Sequence, residues 1–299
     1  MTGKAIFHND DTSNLGGNMS FDQLVRYYSK PLEPIPTMMH RKGSLRGEVK
    51  AVLFDVYGTL FVSAAGDISI AREAADRNSE AVKNLLGKFG ISRDASSLQT
   101  VFFEAIDHEK KRLEGQGIDY PEVVIEAVWK KVLGVDDDTV IKRFALEYEL
   151  IVNPVFPMPH ARDVITALKR KKIILGIISN AQFYTPYLFS ALMGGAPRDL
   201  GFNEDLLFFS YSFGYGKPSF FLFERAAERL AEYEVRRDQI IYVGNDMLKD
   251  IYPSTAAGFQ TVLFAGDGRS LRLREDDDRC AGVAADLVIT DLLQLMDYL

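Results

Sequence analysis

The segment AVLFDVYGTL, residues 51–60, decides the fold. Its first four residues, 51–54, form an apolar run with the length and composition of a buried β-strand. The run stops at Asp55, and Gly58 follows three residues later among residues that favour a turn. This order predicts a strand whose carboxyl end carries one acidic side chain beside a tight turn.

Three later runs end in the same way. Each is a short apolar stretch followed by polar residues: 173–178 before Ser179 and Asn180, 240–243 before Gly-Asn-Asp at 244–246, and 261–264 before Ala-Gly-Asp at 265–267. Stretches of helical apolar spacing precede the runs 173–178 and 240–243, at 161–171 and 219–232 respectively. Alternating strands and helices predict an α/β fold, with a Rossmann-like parallel sheet covered on both faces. Ligands bind beyond the carboxyl ends of such strands, so these polar residues are the candidate site.

A long insertion separates the first predicted strand from the second. It spans about residues 67–150 and shows four stretches of helical apolar spacing, at 68–89, 97–113, 121–133 and 137–150. This pattern predicts a helical cap domain inserted into a core domain formed by residues 49–66 and 151–299. Residues 1–48 contain a short helical stretch and several prolines, and they predict an extended arm that packs on the body or on a second subunit.

Composition excludes several classes of protein. The chain has 299 residues, 47% of them hydrophobic, and a net charge of −7 without a block of Lys and Arg, so we expect a globular protein that binds no nucleic acid. No stretch of about eighteen apolar residues occurs, which predicts a soluble, cytoplasmic protein without a membrane span. The only cysteine, Cys280, follows a charged segment, 272–279, that has the composition of a solvated loop.

The polar segments after the strands resemble the motifs of the haloacid dehalogenase superfamily. Four stretches carry the resemblance, in the order and spacing of that family: 54–60 (FDVYGTL), Ser179-Asn180, Lys217-Pro218, and Gly244-Asn245-Asp246 with Asp250. The resemblance covers about residues 49–299. It implies a hydrolase with a helical cap and a small-molecule substrate.

The resemblance makes Asp55 the nucleophile, because a carboxylate at a dry strand end can divide one difficult displacement into two easier ones. The hydroxyls of Thr59 and Ser179 are expected to donate hydrogen bonds to anionic oxygens, and Lys217 to stabilise a substrate anion or the transition state. Gly58 allows a sharp turn. Asn180 is expected to orient the substrate or a loop.

A magnesium ion is the expected cofactor. Asp246 and Asp250 supply the hard oxygen ligands that Mg²⁺ prefers. In the resembling family, Asp55 and the backbone carbonyl of the residue at position 57 complete the site. The segment reads Gly-Asn-Asp where many relatives have Gly-Asp, so Asn245 is an alternative ligand.

Tyr57 departs from the phosphatases of the superfamily, which usually carry an aspartate there as a general acid and base. A tyrosine titrates near pH 10 and is poorly matched to that role. The form Asp-x-Tyr-Gly-Thr resembles the 2-haloacid dehalogenases, whose halide leaving group needs no proton. The predicted metal site nevertheless favours a phosphatase of a small phosphorylated metabolite. A dehalogenase, or a catalytically weak binding protein, is the alternative, and both the substrate and a homodimer stay open.

Overall fold

A mostly parallel sheet of seven strands forms the centre of the computed structural model, which describes residues 19–64 and 78–299. The strands are β1 (Lys42–Gly43), β2 (Ala51–Phe54), β3 (Phe61–Ser63), β4 (Val155–Pro157), β5 (Ile174–Ser179), β6 (Phe202–Phe209), β7 (Ile240–Gly244), β8 (Gln260–Phe264) and β9 (Leu287–Ile289). The sheet has the order β1-β9-β8-β7-β2-β5-β6, and only β1 runs antiparallel to its neighbour. The predicted α/β fold is confirmed. Strands β3 and β4 form a separate antiparallel pair.

Both faces of the sheet are covered, as the continuous apolar runs require. In β2, Val52 and Phe54 pack into one hydrophobic cluster, while Ala51 and Leu53 pack into another, because successive side chains point to opposite faces. The first cluster includes buried residues of the helix Ala161–Arg170, and the second those of the helix Phe221–Ala231. A run without polar alternation therefore marks a strand buried on both sides.

Three strands of the main sheet lack a clear sequence pattern. Strand β6 includes exposed Glu204 and Asp205, because it is the edge strand beside β5. Strands β1 and β9 have two and three residues, too few for a periodic signal.

The inserted segment is helical where the structure describes it. Its helices are Ser79–Lys88, Ala95–Glu114, Ile125–Leu133 and Asp138–Val152; the first ten residues of the predicted helix 68–89 lie outside the described residues. The predicted helix start at residue 121 is wrong. Pro121 instead forms a β-bridge with Tyr215, and the N–H of Gly216 donates to the carbonyl of Tyr120 at 2.7 Å. These contacts join the cap to the loop that precedes Lys217.

The arm packs on the body over its described residues. Ser20 caps the helix Phe21–Tyr28, which buries Leu24 and Val25 in the same cluster as the helix Asp138–Val152. The Tyr28 hydroxyl donates to Glu147 of that helix at 2.7 Å. Strand β1, also in the arm, pairs with β9. The domain boundaries themselves stay predictions.

Shorter helical segments complete the chain. They are Thr185–Leu188, Pro197–Leu200, Ser210–Phe213 and Tyr252–Ala256, the π-helical Phe189–Met193 and Met247–Ile251, and the 3₁₀ segments Arg237–Gln239, Asp278–Cys280 and Leu292–Tyr298. Across the described part of the chain, no helix has both the length and the apolar character that crossing a membrane requires.

Candidate active site

The candidate site forms where β2 ends between its two parallel neighbours. Phe54 is in register with Ile177 of β5 and Val243 of β7, so the three strands end at one edge of the sheet. The N–H of Asp55 donates to the carbonyl of Val243 at 2.9 Å, which continues the β2–β7 pairing into the nucleophile candidate. The parallel register therefore brings the polar residues after these strands together, as the sequence predicts.

The turn after Asp55 depends on Gly58. Its φ is +84°, and a Cβ there would lie 2.7 Å from both Asn245 Nδ2 and Ser270 Cβ, so a side chain would be strained and would clash. The Thr59 hydroxyl donates to Asn245 Oδ1 at 3.2 Å. Gly58 and Thr59 thus allow the first motif, residues 54–60, to pack against the fourth motif, which contains Asn245.

Lys217 is the centre of the charge network. Its Nζ donates to Asp55 Oδ1 at 2.7 Å, to Asp250 Oδ1 at 2.5 Å and to the Tyr242 hydroxyl at 3.0 Å. Burial lowers the pKa of Lys217, but the charges of Asp250 and Asp55 outweigh burial and the pKa is above its ordinary value. Lys217 is therefore a fixed cation that orients one oxygen of Asp55.

Asp250 has both carboxylate oxygens engaged. Oδ1 accepts from Lys217, and Oδ2 accepts from the N–H groups of Asn245 and Asp246, each at 2.9 Å. Burial raises the pKa of Asp250 to about 6, in spite of the charge of Lys217, and the charges of Asp55 and Asp246 add to the rise. A Cβ on Gly244 would overlap this carboxyl group, so a side chain there would displace it.

Asn180 orients the Lys217 loop. Its Oδ1 accepts from the N–H of Lys217 at 2.6 Å, and its Nδ2 donates to the carbonyl of Lys217 at 3.2 Å. Asn180 was expected to orient either the substrate or a loop, and these contacts support the orientation of a loop. Ser179 is fully buried, and its hydroxyl makes a long hydrogen bond of 3.4 Å to the carbonyl of Asn180.

Asp246 is paired with Arg274. The guanidinium donates to Asp246 Oδ1 at 3.1 Å and to Oδ2 at 2.6 Å, while Oδ1 also accepts from the N–H groups of Leu248 and Lys249. The segment 272–279 is therefore not simply a solvated loop. Arg274 reaches into the site, and Cys280 is buried, which raises its pKa.

The predicted ligands do not fit a magnesium ion in this arrangement. The side-chain oxygens of Asp246 and Asp250 accept from Arg274, from Lys217 or from backbone N–H groups, and Asn245 Oδ1 accepts from Thr59. Within residues 19–64 and 78–299, no group of three or more His, Cys, Asp or Glu is arranged to hold a metal ion. The magnesium site predicted from Asp55, Tyr57, Asn245, Asp246 and Asp250 remains a prediction that this geometry does not favour.

A cavity of about 430 Å³ lies over these groups. The predicted residues that line it are Asp55, Tyr57, Asn180, Lys217, Asn245, Asp246 and Asp250, whereas Gly58, Thr59 and Ser179 are buried without lining it. The cap adds lining residues that the motifs did not indicate, Lys110, Glu114, Glu122 and Glu149, and Asn153 of the core lies beside them. Helical periodicity could only have marked these positions as facing the protein rather than solvent.

Tyr57 is partly buried and lines this cavity. Its hydroxyl hydrogen-bonds with Thr185 Oγ1 at 2.9 Å. Burial, with the charge of Glu149, raises the pKa of Tyr57 above its ordinary value. The side chain therefore stays protonated at neutral pH and cannot serve as a general base.

One comparison with known proteins identifies a family. A family model described as haloacid dehalogenase-like hydrolase matches residues 49–258. No curated protein sequence matches the chain.

Several solved structures share the fold. A 2-haloacid dehalogenase from Pseudomonas syringae pv. Tomato DC3000 has 22% identity and a TM-score of 0.52, over 84% of this chain and 97% of that one. A structure described as a dehalogenase has 17% identity and a TM-score of 0.51, over 85% and 99%. A defluorinating L-2-haloacid dehalogenase has 17% identity and a TM-score of 0.50, over 83% and 94%. At these identities the likeness concerns the fold.

Proposed function

The chain belongs to the haloacid dehalogenase-like hydrolases, and we propose that it displaces halide from a 2-haloacid through an ester intermediate on Asp55, without a divalent metal ion. One observation carries the proposal. Lys217 already pairs with Asp55 and Asp250, and Arg274 with Asp246, so each carboxylate that a phosphatase site would offer to magnesium already has a cationic partner. The similar structures reported above are dehalogenases by name, which agrees with this reading.

The first step needs only the groups around Asp55. One carboxylate oxygen attacks C2 of the haloacid, a carbon–oxygen bond forms, and the halide leaves with the electron pair of the carbon–halogen bond. Lys217 holds Asp55 Oδ1 at 2.7 Å, so the nucleophile is oriented before the substrate binds. The leaving halide takes no proton, and a protonated Tyr57 therefore costs this step nothing.

Phosphate-ester hydrolysis is the second candidate. It is favoured by the partial exposure of Arg274, whose side chain retains 28% of its accessible surface and has room to leave Asp246. Lys110 of the cap and Arg272 of the core also line the cavity and would attract an anionic substrate. This function requires that magnesium displace the guanidinium of Arg274 from Asp246.

A panel of 2-haloacids and phosphate esters, each assayed with magnesium and with EDTA, tests the proposal. We expect halide release that EDTA does not reduce, and we expect it to disappear in Asp55→Asn, since the amide cannot attack. Phosphate release that requires magnesium, without halide release, would establish the second candidate instead. Turnover of neither class would favour a binding protein.

A further inference from the structure

The cap places a carboxylate, Glu149, in the lining of the cavity that also contains the nucleophile Asp55. We propose that Glu149 is a catalytic residue that accepts the proton of the water that hydrolyses the Asp55 ester. Glu149 would supply, from the cap, the general base that is missing at position 57, where this chain has a tyrosine instead of an aspartate. The inference rests on the proposed function, because it concerns the second step of the same reaction.

A relay of hydrogen bonds fixes the position of Glu149. The Ser63 hydroxyl donates to Asn153 Oδ1 at 2.8 Å, and Asn153 Nδ2 donates to Glu149 Oε1 at 2.9 Å. Ser63 is fully buried in β3, eight positions after Asp55, and β3 pairs with β4 just beyond Asn153. The nucleophile loop and the last turn of the helix Asp138–Val152 are therefore tied to each other.

The surroundings of Glu149 suit a base. Asp55, Tyr57 and Tyr184 line the same cavity as Glu149. The titratable groups that its charge acts on are Tyr57, Tyr148 and Tyr184. Burial raises the pKa of Glu149 above its ordinary value, towards the range in which a carboxylate transfers protons well near neutral pH.

Three of the other carboxylates that line the cavity are held by other groups, and a fourth, Glu114, is exposed to solvent. Asp250 is held by Lys217 and two N–H groups, and Asp246 by Arg274. Glu122 is equally buried, but its oxygens accept from Val123 N–H, Gln182 Nε2 and Ser210 Oγ, which join the cap to the core. Glu122 is therefore a matched control for Glu149.

The second step balances with Glu149 as the base. A water oxygen attacks the carbonyl carbon of the Asp55 ester while its proton passes to the Glu149 carboxylate. The bond between that carbon and the ester oxygen then breaks, and the departing alkoxide takes the proton from Glu149 to form the 2-hydroxy acid. Asp55 keeps the oxygen from water and loses one proton to solvent.

The experiment uses 2-chloropropionate with the full chain and its variants Glu149→Gln and Glu122→Gln. In Glu149→Gln we expect one equivalent of chloride per chain, followed by a fall in turnover of about 100-fold or more. Intact mass spectrometry should detect the 1-carboxyethyl ester of Asp55 accumulating on the protein. Glu122→Gln should keep multiple turnover without the adduct, and Glu149→Asp, which retains the carboxylate, should recover part of the turnover.

Two results would overturn the inference while leaving the proposed function in place. One is a Glu149→Gln variant that turns over within about twofold of wild type. The other is a folded Glu149→Gln variant that forms no adduct, or whose adduct and rate match those of Glu122→Gln. If wild-type protein releases no chloride at all, the proposed function fails and the role of Glu149 fails with it.

Discussion

Replacing Lys217 by Met removes the cation between two buried carboxylates. Lys217 contacts Asp55 at 2.7 Å and Asp250 at 2.5 Å, and the side chains of Lys217 and Asp250 retain 2% and 1% of their accessible surface. Breaking a buried ion pair from one side costs about 3–5 kcal/mol, because the remaining charge is left without compensation. We expect a loss of this size in the free energy of unfolding near pH 8.

The loss should be smaller near pH 5. The pKa of Asp250 in the folded protein is about 6, which is above its value in an unfolded chain. The stability that protonated Asp250 provides is therefore fully present below about pH 4 and is lost as the pH rises through about 6. Lys217 holds this pKa down, so its removal raises it further and the variant keeps losing stability above pH 6. The loss should increase by about 1.4 kcal/mol for each further pKa unit.

Urea denaturation at pH 5 and pH 8 measures both effects. Lys83→Met is the control, since Lys83 is 73% exposed and lies 3.9 Å from Glu80, and a surface pair of this kind contributes about 0–1 kcal/mol. Adding Asp250→Asn to Lys217→Met should restore part of the stability by removing the uncompensated charge. The reasoning is refuted if Lys217→Met loses less than about 1 kcal/mol at both pH values.

Three further predictions test other contacts. Arg274→Ala frees the carboxylate of Asp246, so magnesium should raise the melting temperature of this variant by mass action and leave wild type unchanged; equal shifts in both would contradict this. If the second candidate function, phosphate-ester hydrolysis, holds, Tyr57→Asp should increase alkyl phosphate hydrolysis more than nitrophenyl phosphate hydrolysis, and an unchanged ratio of initial rates would count against that function. Tyr28→Phe removes a donor from buried Glu147 and should cost about 1–3 kcal/mol in urea denaturation, whereas Tyr27→Phe, at a side chain 63% exposed, should cost almost nothing.

Local pattern was sufficient for the framework of the site. The runs before Asp55, Ser179 and Asn245 are continuous and apolar, and such runs in alternation with helices form parallel strands that end at one edge. Strand β6 was missed because Glu204 and Asp205 face solvent at the edge of the sheet, where burial imposes no pattern on the sequence.

Local sequence patterns could not predict contacts between side chains that lie far apart in the chain. Arg274 belongs to a segment whose composition is that of a surface loop, yet it binds Asp246 through a contact across 28 residues. Glu149 is one of several acids on a cap helix, and only the path through Asn153 to Ser63 distinguishes it. A charged side chain has the same sequence signature whether it faces water or a carboxylate.

The sequence by itself determined the parallel sheet, the position of Asp55 at its edge and the convergence of the four motifs, because burial and backbone pairing impose a period and an order on the chain. Only the tertiary structure decided which cations pair with the carboxylates and which acids of the cap line the cavity of the nucleophile. Those outcomes depend on long-range packing, which brings Lys217 and Arg274 to the oxygens predicted to hold magnesium.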